Sequence, residues 1–392
     1  MASQKALQNR NACCLGSECA ADNIHQLISY FITKGDDSTK TGEFSDKIIW
    51  LPLDNLERKG CFYVGGDNYV DENGETSLTG HMYTEVYVPK EVRHPYPLVL
   101  VHGAVQTALN WVYTADGRPG WLYYFLQQGY IVYLVDQPAR GRSGYNGACD
   151  GEIENWTADK LKRTMTGDDA GVDPANLPHT QFPQNCFNTF YQTQVNMVHD
   201  RKWGHRVATK ALIALLDQIG PAVLVTHSQA GPYGWVVADQ RPKHVKAVVA
   251  IEPSGPAYPE TSVDKEQQTI CKNMFVSVPL QFDPPVTEDS PIRLQRQEGK
   301  EIGQSGGWLQ QEPFRQLPNL KGKPFILITS ETSTHVKYDY LTAEALKQCG
   351  VDIEYINLRN IGIHGNGHMV MVEKNSDEIV KFIDQWLCKK GL

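Results

Sequence analysis

No run in this chain is apolar for the roughly 20 residues that a bilayer span requires, which excludes a transmembrane segment from the expected architecture. The first residues, MASQKALQNRNACCLGSECAADN, lack the unbroken apolar core of a secretory leader, and the expectation that follows is a cytoplasmic protein. One sequon, Asn155-Trp156-Thr157, points weakly the other way. Charge of one sign is missing too. The formal net charge of -8 is spread over 392 residues, so no nucleic acid partner is expected and a small neutral or apolar ligand fits better. Cys13, Cys14, Cys19, Cys61, Cys149, Cys186, Cys271, Cys349 and Cys388 contain no C-x-x-C pair and no paired metal spacing, so they are read as free buried thiols. Neither a metal nor a cofactor is expected, and no internal repeat or low-complexity run is found.

What is present is a globular composition, with 41% hydrophobic and 21% charged residues. A chain of this length suits one large domain with insertions rather than several domains. Residues 1–45 are polar and read as an N-terminal arm. The domain follows over 46–392, and its rhythm breaks at about 142–202 and 254–322, where a cap is expected. Those two stretches hold Trp156, Phe182, Phe187, Phe190, Tyr191, Phe275, Phe282, Trp308 and Phe314 among Pro, Asn and Gln. The alternative for these aromatics is a small satellite core.

Elsewhere the pattern alternates between strand and helix. Cys61-Phe-Tyr-Val-Gly-Gly66 and His81–Val88, around Asn73-Gly74, read as an antiparallel hairpin. Leu98–Val101, Tyr130–Val135, Ala222–Thr226, Val245–Ile251, Phe325–Thr329 and Ile353–Leu358 are mostly apolar on successive residues, as strands covered on both faces must be. Between them lie helical stripes at 121–126, stopped by Gly129, and at Leu212, Leu215, Leu216 and Ile219. A third carries Ile379, Phe382, Ile383, Trp386 and Leu387, with Asn375 and Glu378 as a box-like start. The fold class is therefore α/β, a mostly parallel sheet flanked by helices.

Val223-Leu-Val-Thr-His-Ser228-Gln-Ala-Gly231 is an apolar strand, a serine among small residues, and then a helical segment. Such a turn presents the hydroxyl above the sheet, and the positions two away must be small for the chain to turn so tightly. The usual spacing is G-x-S-x-G, whereas here the glycine arrives one position late. A serine that merely caps a helix is the alternative. A nucleophilic serine needs a base, and the base needs a carboxylate, following it along the chain as acid and then histidine. His368, in Gly365-Asn-Gly-His368-Met between the last strand and last helix, is the expected base, with His364 as competitor. Glycines on both sides of position 366 make a helical His364/His368 metal pair unfavourable. For the acid, Glu252 after Val245–Ile251 and Glu331 after Phe325–Thr329 stand nearly even.

Three stretches carry a resemblance: Thr226-His-Ser-Gln-Ala-Gly-Pro-Tyr-Gly-Trp235, Ala250-Ile-Glu-Pro-Ser-Gly-Pro256, and Gly365-Asn-Gly-His-Met-Val-Met-Val-Glu-Lys-Asn-Ser376. In this order, they resemble an α/β-hydrolase group typified by a bacterial esterase with a Ser-Glu-His triad. The likeness runs from about residue 60 onward. It implies an α/β-hydrolase fold with Ser228, Glu252 and His368 as the triad and Glu331 as the substitute acid. Val101-His-Gly-Ala104 resembles the hydrolase HG motif, so the oxyanion donors are expected to be the Gln229 and Ala104 N–H groups, with His102 structural. Pro138-Ala-Arg-Gly-Arg-Ser-Gly144 sits after Asp136, where that fold places a common turn, and no G-K-[ST] follows it to suggest a nucleotide. The function expected is a serine hydrolase that cleaves a fairly apolar carboxylic ester or lactone, with a homodimer left open. Two rival readings are kept. One is a non-hydrolytic cyclisation, condensation or C–C cleavage in secondary metabolism; the other is a non-catalytic ligand receptor.

Overall fold

The computed structural model describes residues 49, 51–166, 180–270, 278–301 and 303–392. The chain divides into two units, Met1–Trp50 and Leu51–Leu392. Apart from Ile49 the first lies outside the described residues, and with it the expected arm.

The second unit is organised by eight strands: β1 Leu56–Val70, β2 Thr76–Pro89, β3 Leu98–Val101, β4 Val132–Asp136, β5 Ala222–His227, β6 Val245–Ile251, β7 Phe325–Thr329 and β8 Ile353–Asn357. Their order across the sheet is β1-β2-β4-β3-β5-β6-β7-β8. Pairing is parallel from β4 to β8, and β2 alone runs against its neighbours on both sides.

Each central strand serves two cores because successive side chains leave opposite faces. Val99, Val101, Leu224 and Val248 join one core with helix Arg201–Ile219, here α4, and helix Gly231–Gln240, here α5. Leu98, Leu100, Val223, Val225 and Val249 join the other, with helices α1 Trp121–Gln128 and α7 Ser376–Lys389. Continuous apolar strands are the direct result. The hairpin β1–β2 is longer than its apolar stretches suggested, since most of β1 is solvent-exposed and needs no hydrophobic face.

Two local expectations are corrected. Gly129 does stop α1, in the left-handed region at φ 91°, but Asn375 makes no side-chain cap at the start of α7. Its amide instead exchanges hydrogen bonds with Asn366, at 2.7 and 3.0 Å. The free thiols are not uniformly buried either, since Cys61 and Cys388 are exposed and Cys349 alone is buried among the described cysteines.

The two stretches that broke the rhythm have local structure of their own. The first holds helices α2 Ala158–Met165 and α3 Phe187–Gln192, with Ile153–Glu154 paired to Met197–Val198. In the second, Ile292–Gln297 forms the middle of a small antiparallel sheet, between Gly307–Gln310 and Thr269–Ile270. Helix α6, Asp339–Gln348, then links β7 to β8.

Candidate active site

Strand β5 ends in a turn that puts Ser228 at φ 53°. A residue with a Cβ resists this left-handed backbone by about 1–3 kcal/mol, and it persists only where its surroundings over-determine it. Here the Ser254 N–H donates to the Ser228 carbonyl at 2.9 Å, tying the turn to the segment that follows β6. The displaced glycine of the motif has a cause in the same place. A Cβ on Gly231 would sit 2.3 Å from Cβ of Pro253, so the position that must be glycine is set by Pro253, while Ala230 fits where the pattern asks for glycine.

Glu252 lies next to Pro253, at φ 49° and fully buried. One oxygen accepts from the Ser330 N–H at 2.5 Å, and the other from Nδ1 of His368 at 2.9 Å and from the Ser333 hydroxyl. Burial pushes the Glu252 carboxyl up, and His335 with these donors pulls it down. Burial also pushes the His368 imidazole well below its usual range, with His335 adding to the shift. A neutral imidazole is the form that can take a proton. With Nδ1 engaged by Glu252, Nε2 is the ring nitrogen outside that contact. The His368 carbonyl meets Nε2 of His227, the residue before the serine, at 2.9 Å, and the two rings lie 4.6 Å apart.

The competing residues are paired with each other. Glu331 accepts from Nδ1 of His364 at 3.2 Å and from the Gly365 N–H at 3.0 Å. The His364 side chain is 53% exposed, against 4% for His368. Glu252 and His368 are thus brought together, and Glu331 is placed with the other histidine.

Sequence reading passed over several supporting groups. His335 stacks on His368 with ring centres 4.6 Å apart, and its Nδ1 lies 3.5 Å from Asp339. Glu373 accepts from the Gly367 N–H at 2.9 Å and from the Asn366 amide at 2.7 Å, holding the loop that carries His368. Burial raises its carboxyl to about 8. The available signal was an acid directly after the apolar run Met369–Val372. Donor atoms of Glu252, His335 and His368 lie within 4.8 Å of one another, the one such group found among the described residues. Both Glu252 oxygens are already engaged by hydrogen-bond donors, which suits proton handling better than metal coordination.

On the other side of Ser228 stands the loop after β3. A Cβ on Gly103 would come within 2.9 Å of Cβ of Ser228, so glycine permits the close approach. This brings the Gly103–Ala104 peptide close to the serine. His102 is structural, as expected. It accepts from the Gln137 N–H at 3.0 Å, contacts the Gly103 carbonyl at 2.9 Å, and is pushed down to about 4 by burial. Arg140 was read only as part of a turn, yet its buried guanidinium donates to the Gly103 carbonyl at 2.7 Å and to Oε1 of Gln229 at 2.6 Å.

Beside the same loop lies a cavity of about 370 Å³, in the range that holds small-molecule ligands; Val105, Trp156, Leu161, Tyr191 and Val195 contribute to its wall. The Val195 N–H is bonded to the Val105 carbonyl at 2.8 Å. Of the aromatics expected to line a cap, Trp156 and Tyr191 face this cavity. Phe182 and Phe190 are buried in one of the two main cores instead, and Phe282 and Trp308 in the other, so these four neither line a cap nor form a separate satellite core. Phe275 lies outside the described residues.

A sheet of this order, with a strained serine at the end of β5 and a buried Glu-His pair beside it, defines a class of α/β enzymes built around a nucleophile turn. The chain belongs to the alpha/beta hydrolase family, whose family model matches residues 98–382. It is 38% identical over 341 residues to a probable secreted lipase, phiG, of Fungal sp. (strain ATCC 74256), covering 84% of this chain and 89% of the relative. Among solved structures it is similar to a novel bacterial esterase, with TM-score 0.63, 21% identity, and coverage of 88% of this chain and 100% of that one. The expectation of a cytoplasmic protein is overturned by the secreted relative. That expectation rested on a missing apolar leader, and such an absence is weak ground. No described helix is long and apolar enough to cross a membrane.

Proposed function

We propose that the protein is a serine carboxylic ester hydrolase acting on a fairly apolar ester or lactone. The observation that carries this reading is the buried 2.9 Å contact between Glu252 and His368 beside the strained turn of Ser228. Ser228 Oγ attacks the ester carbonyl carbon while its proton passes to Nε2 of His368, and Glu252 holds the imidazole through Nδ1–H. The N–H groups of Gln229 and Ala104 take the oxyanion. Collapse expels the alcohol, which leaves with the proton from His368. Water then attacks the acyl-enzyme by the same proton route, releasing the acid and restoring Ser228.

The cavity beside Val105 has mixed walls, in which Trp156, Leu161, Tyr191 and Val195 suit an apolar portion of the substrate and Asn155, Gln192, Gln194 and Asn196 suit its polar groups. The family, and the lipase and esterase character of the relatives, support the reaction class. The test is turnover of p-nitrophenyl esters of increasing acyl length, together with labelling by a fluorophosphonate. Wild type should hydrolyse the esters and take one label at Ser228, and Ser228→Ala should lose both, with kcat falling by about 10⁶-fold. A wild-type protein that neither turns over nor labels would end this reading.

A further inference from the structure

We infer that Arg140 is a positioning residue of the oxyanion hole: its buried, carboxylate-free guanidinium clamps the Gly103 carbonyl and the Gln229 side chain, aiming and polarising the Ala104 N–H. This inference rests on the proposed role of that N–H as an oxyanion donor.

The cost of placing Arg140 where it is requires an explanation. The residue is 6% exposed, and among the described residues no carboxylate lies within ion-pair distance of it. Burial lowers its guanidinium to about 10, and Arg201 adds to that shift. The carboxylates nearby are taken by a different arginine. Two positions on, Arg142 pairs with Asp136 and with Glu85, each at 2.8 Å. Two arginines therefore enter one short turn and only one is neutralised. An uncompensated buried charge is costly in a fold, so its retention points to use of the charge at the site. The backbone around it is also constrained, with Ala139 at φ 59° and Gly141 at φ 51°. A Cβ on Gly141 would meet Oδ2 of Asp136 at 2.6 Å.

The geometry supplies the mechanism. A peptide unit is planar and trans, so its C=O and N–H point in opposite directions. Fixing the Gly103 carbonyl by Arg140 and His102 therefore fixes the heading of the Ala104 N–H on the other side of the same plane. A cationic donor on the carbonyl also draws electron density through the amide, making the N–H a stronger donor. The second arm of the guanidinium holds the side chain of Gln229, the residue expected to supply the other N–H. One cation thus ties the two strips of backbone on either side of the reacting oxygen. The gain is realised only as negative charge develops on that oxygen, so it belongs to the transition state rather than to substrate binding.

Arg140→Met removes the charge and both hydrogen bonds while keeping most of the apolar stem, and Arg140→Lys keeps the charge with a single-point head. Both are compared with wild type and with the surface control Arg241→Met, using p-nitrophenyl ester kinetics, fluorophosphonate labelling, and the affinity of a trifluoromethyl ketone that forms a tetrahedral adduct. Since loss of a whole oxyanion donor costs about 10²- to 10³-fold, loosening one should lower kcat by about 10- to 100-fold in Arg140→Met with KM within about threefold. Ketone affinity should fall in proportion to kcat/KM, and Arg140→Lys should fall between the two. Equal losses in kcat and ketone affinity for Arg140→Met and the surface control, or a loss carried by KM alone, would overturn the inference. Should Arg140→Met not fold, Arg140→Lys decides, since unchanged kcat and ketone affinity there refute the clamp. A wild type that fails to label at Ser228 breaks the esterase reading instead, and the two failures are told apart.

Discussion

Two glutamate–histidine pairs stand at the two ends of one short loop, and they differ in almost everything except chemistry. Glu252 and His368 meet at 2.9 Å with both side chains buried, whereas Glu331 and His364 meet at 3.2 Å with the histidine largely in water. The inner glutamate ends β6 in a strained conformation and is held by three donors; the outer one follows β7 and binds the near end of the loop through the Gly365 N–H. Pairing alone therefore does not make a catalytic couple. Burial is what separates the two pairs, because it strengthens the inner interaction and engages Nδ1 of His368 with Glu252, which fixes one imidazole tautomer and suits the proposed role of Nε2 as the base.

The sharpest break in this comparison is an exchange of acids. Glu252→Gln should lower kcat/KM by about 10³- to 10⁴-fold, since the imidazole loses its orienting carboxylate. Activity that survives in Glu252→Gln but is lost in Glu331→Gln would invert the assignment. A structural probe comes next. Gly231→Ala places a methyl against Pro253 in the segment that carries Glu252, and a loss of about 1–3 kcal/mol is expected in chemical denaturation. A neutral effect would mean that this segment yields more readily than its packing implies.

Proton titration gives the third test. With the His368 imidazole held down by burial, the base stays free of its proton until the pH falls below the usual histidine range of 6.5. The acid limb of kcat/KM should therefore lie below that value, not at it. The same loop should also register in stability. Glu373 has its carboxyl raised from 4.5 to about 8, so its contribution to folding is complete below 4.5 and is lost as pH rises toward 8. The Tm of Glu373→Gln relative to wild type should accordingly rise between about pH 5 and about pH 9. The smallest effect is expected at the outer pair, where His364→Ala should cost at most about 1 kcal/mol and leave kcat within about threefold.

The sheet was legible in the sequence because its central strands are covered on both faces and so must be apolar throughout. Val245–Ile251 and Phe325–Thr329 have the same bounds in sequence and structure. The Ser228 turn was legible for the same reason, as a small-residue turn at the end of such a strand. The choice of acid was not. Glu252 and Glu331 each follow a strand, and what separates them is the path of residues 363–368, which sets the partner of each by contacts distant in sequence. Only the family resemblance favoured Glu252, and the geometry now supports it from a separate direction. Asn375 failed as a cap because a tertiary partner, Asn366, competes for its amide. Arg140 escaped notice because nothing local says which of two arginines will find a carboxylate.

The bond from the Ser254 amide to the Ser228 carbonyl has a practical use that does not depend on any substrate. It turns Ser254 into a built-in gauge of the nucleophile turn. Deuterium uptake at that single amide will follow opening of the turn in solution, so a variant that has lost its chemistry can be separated from one that has lost its shape.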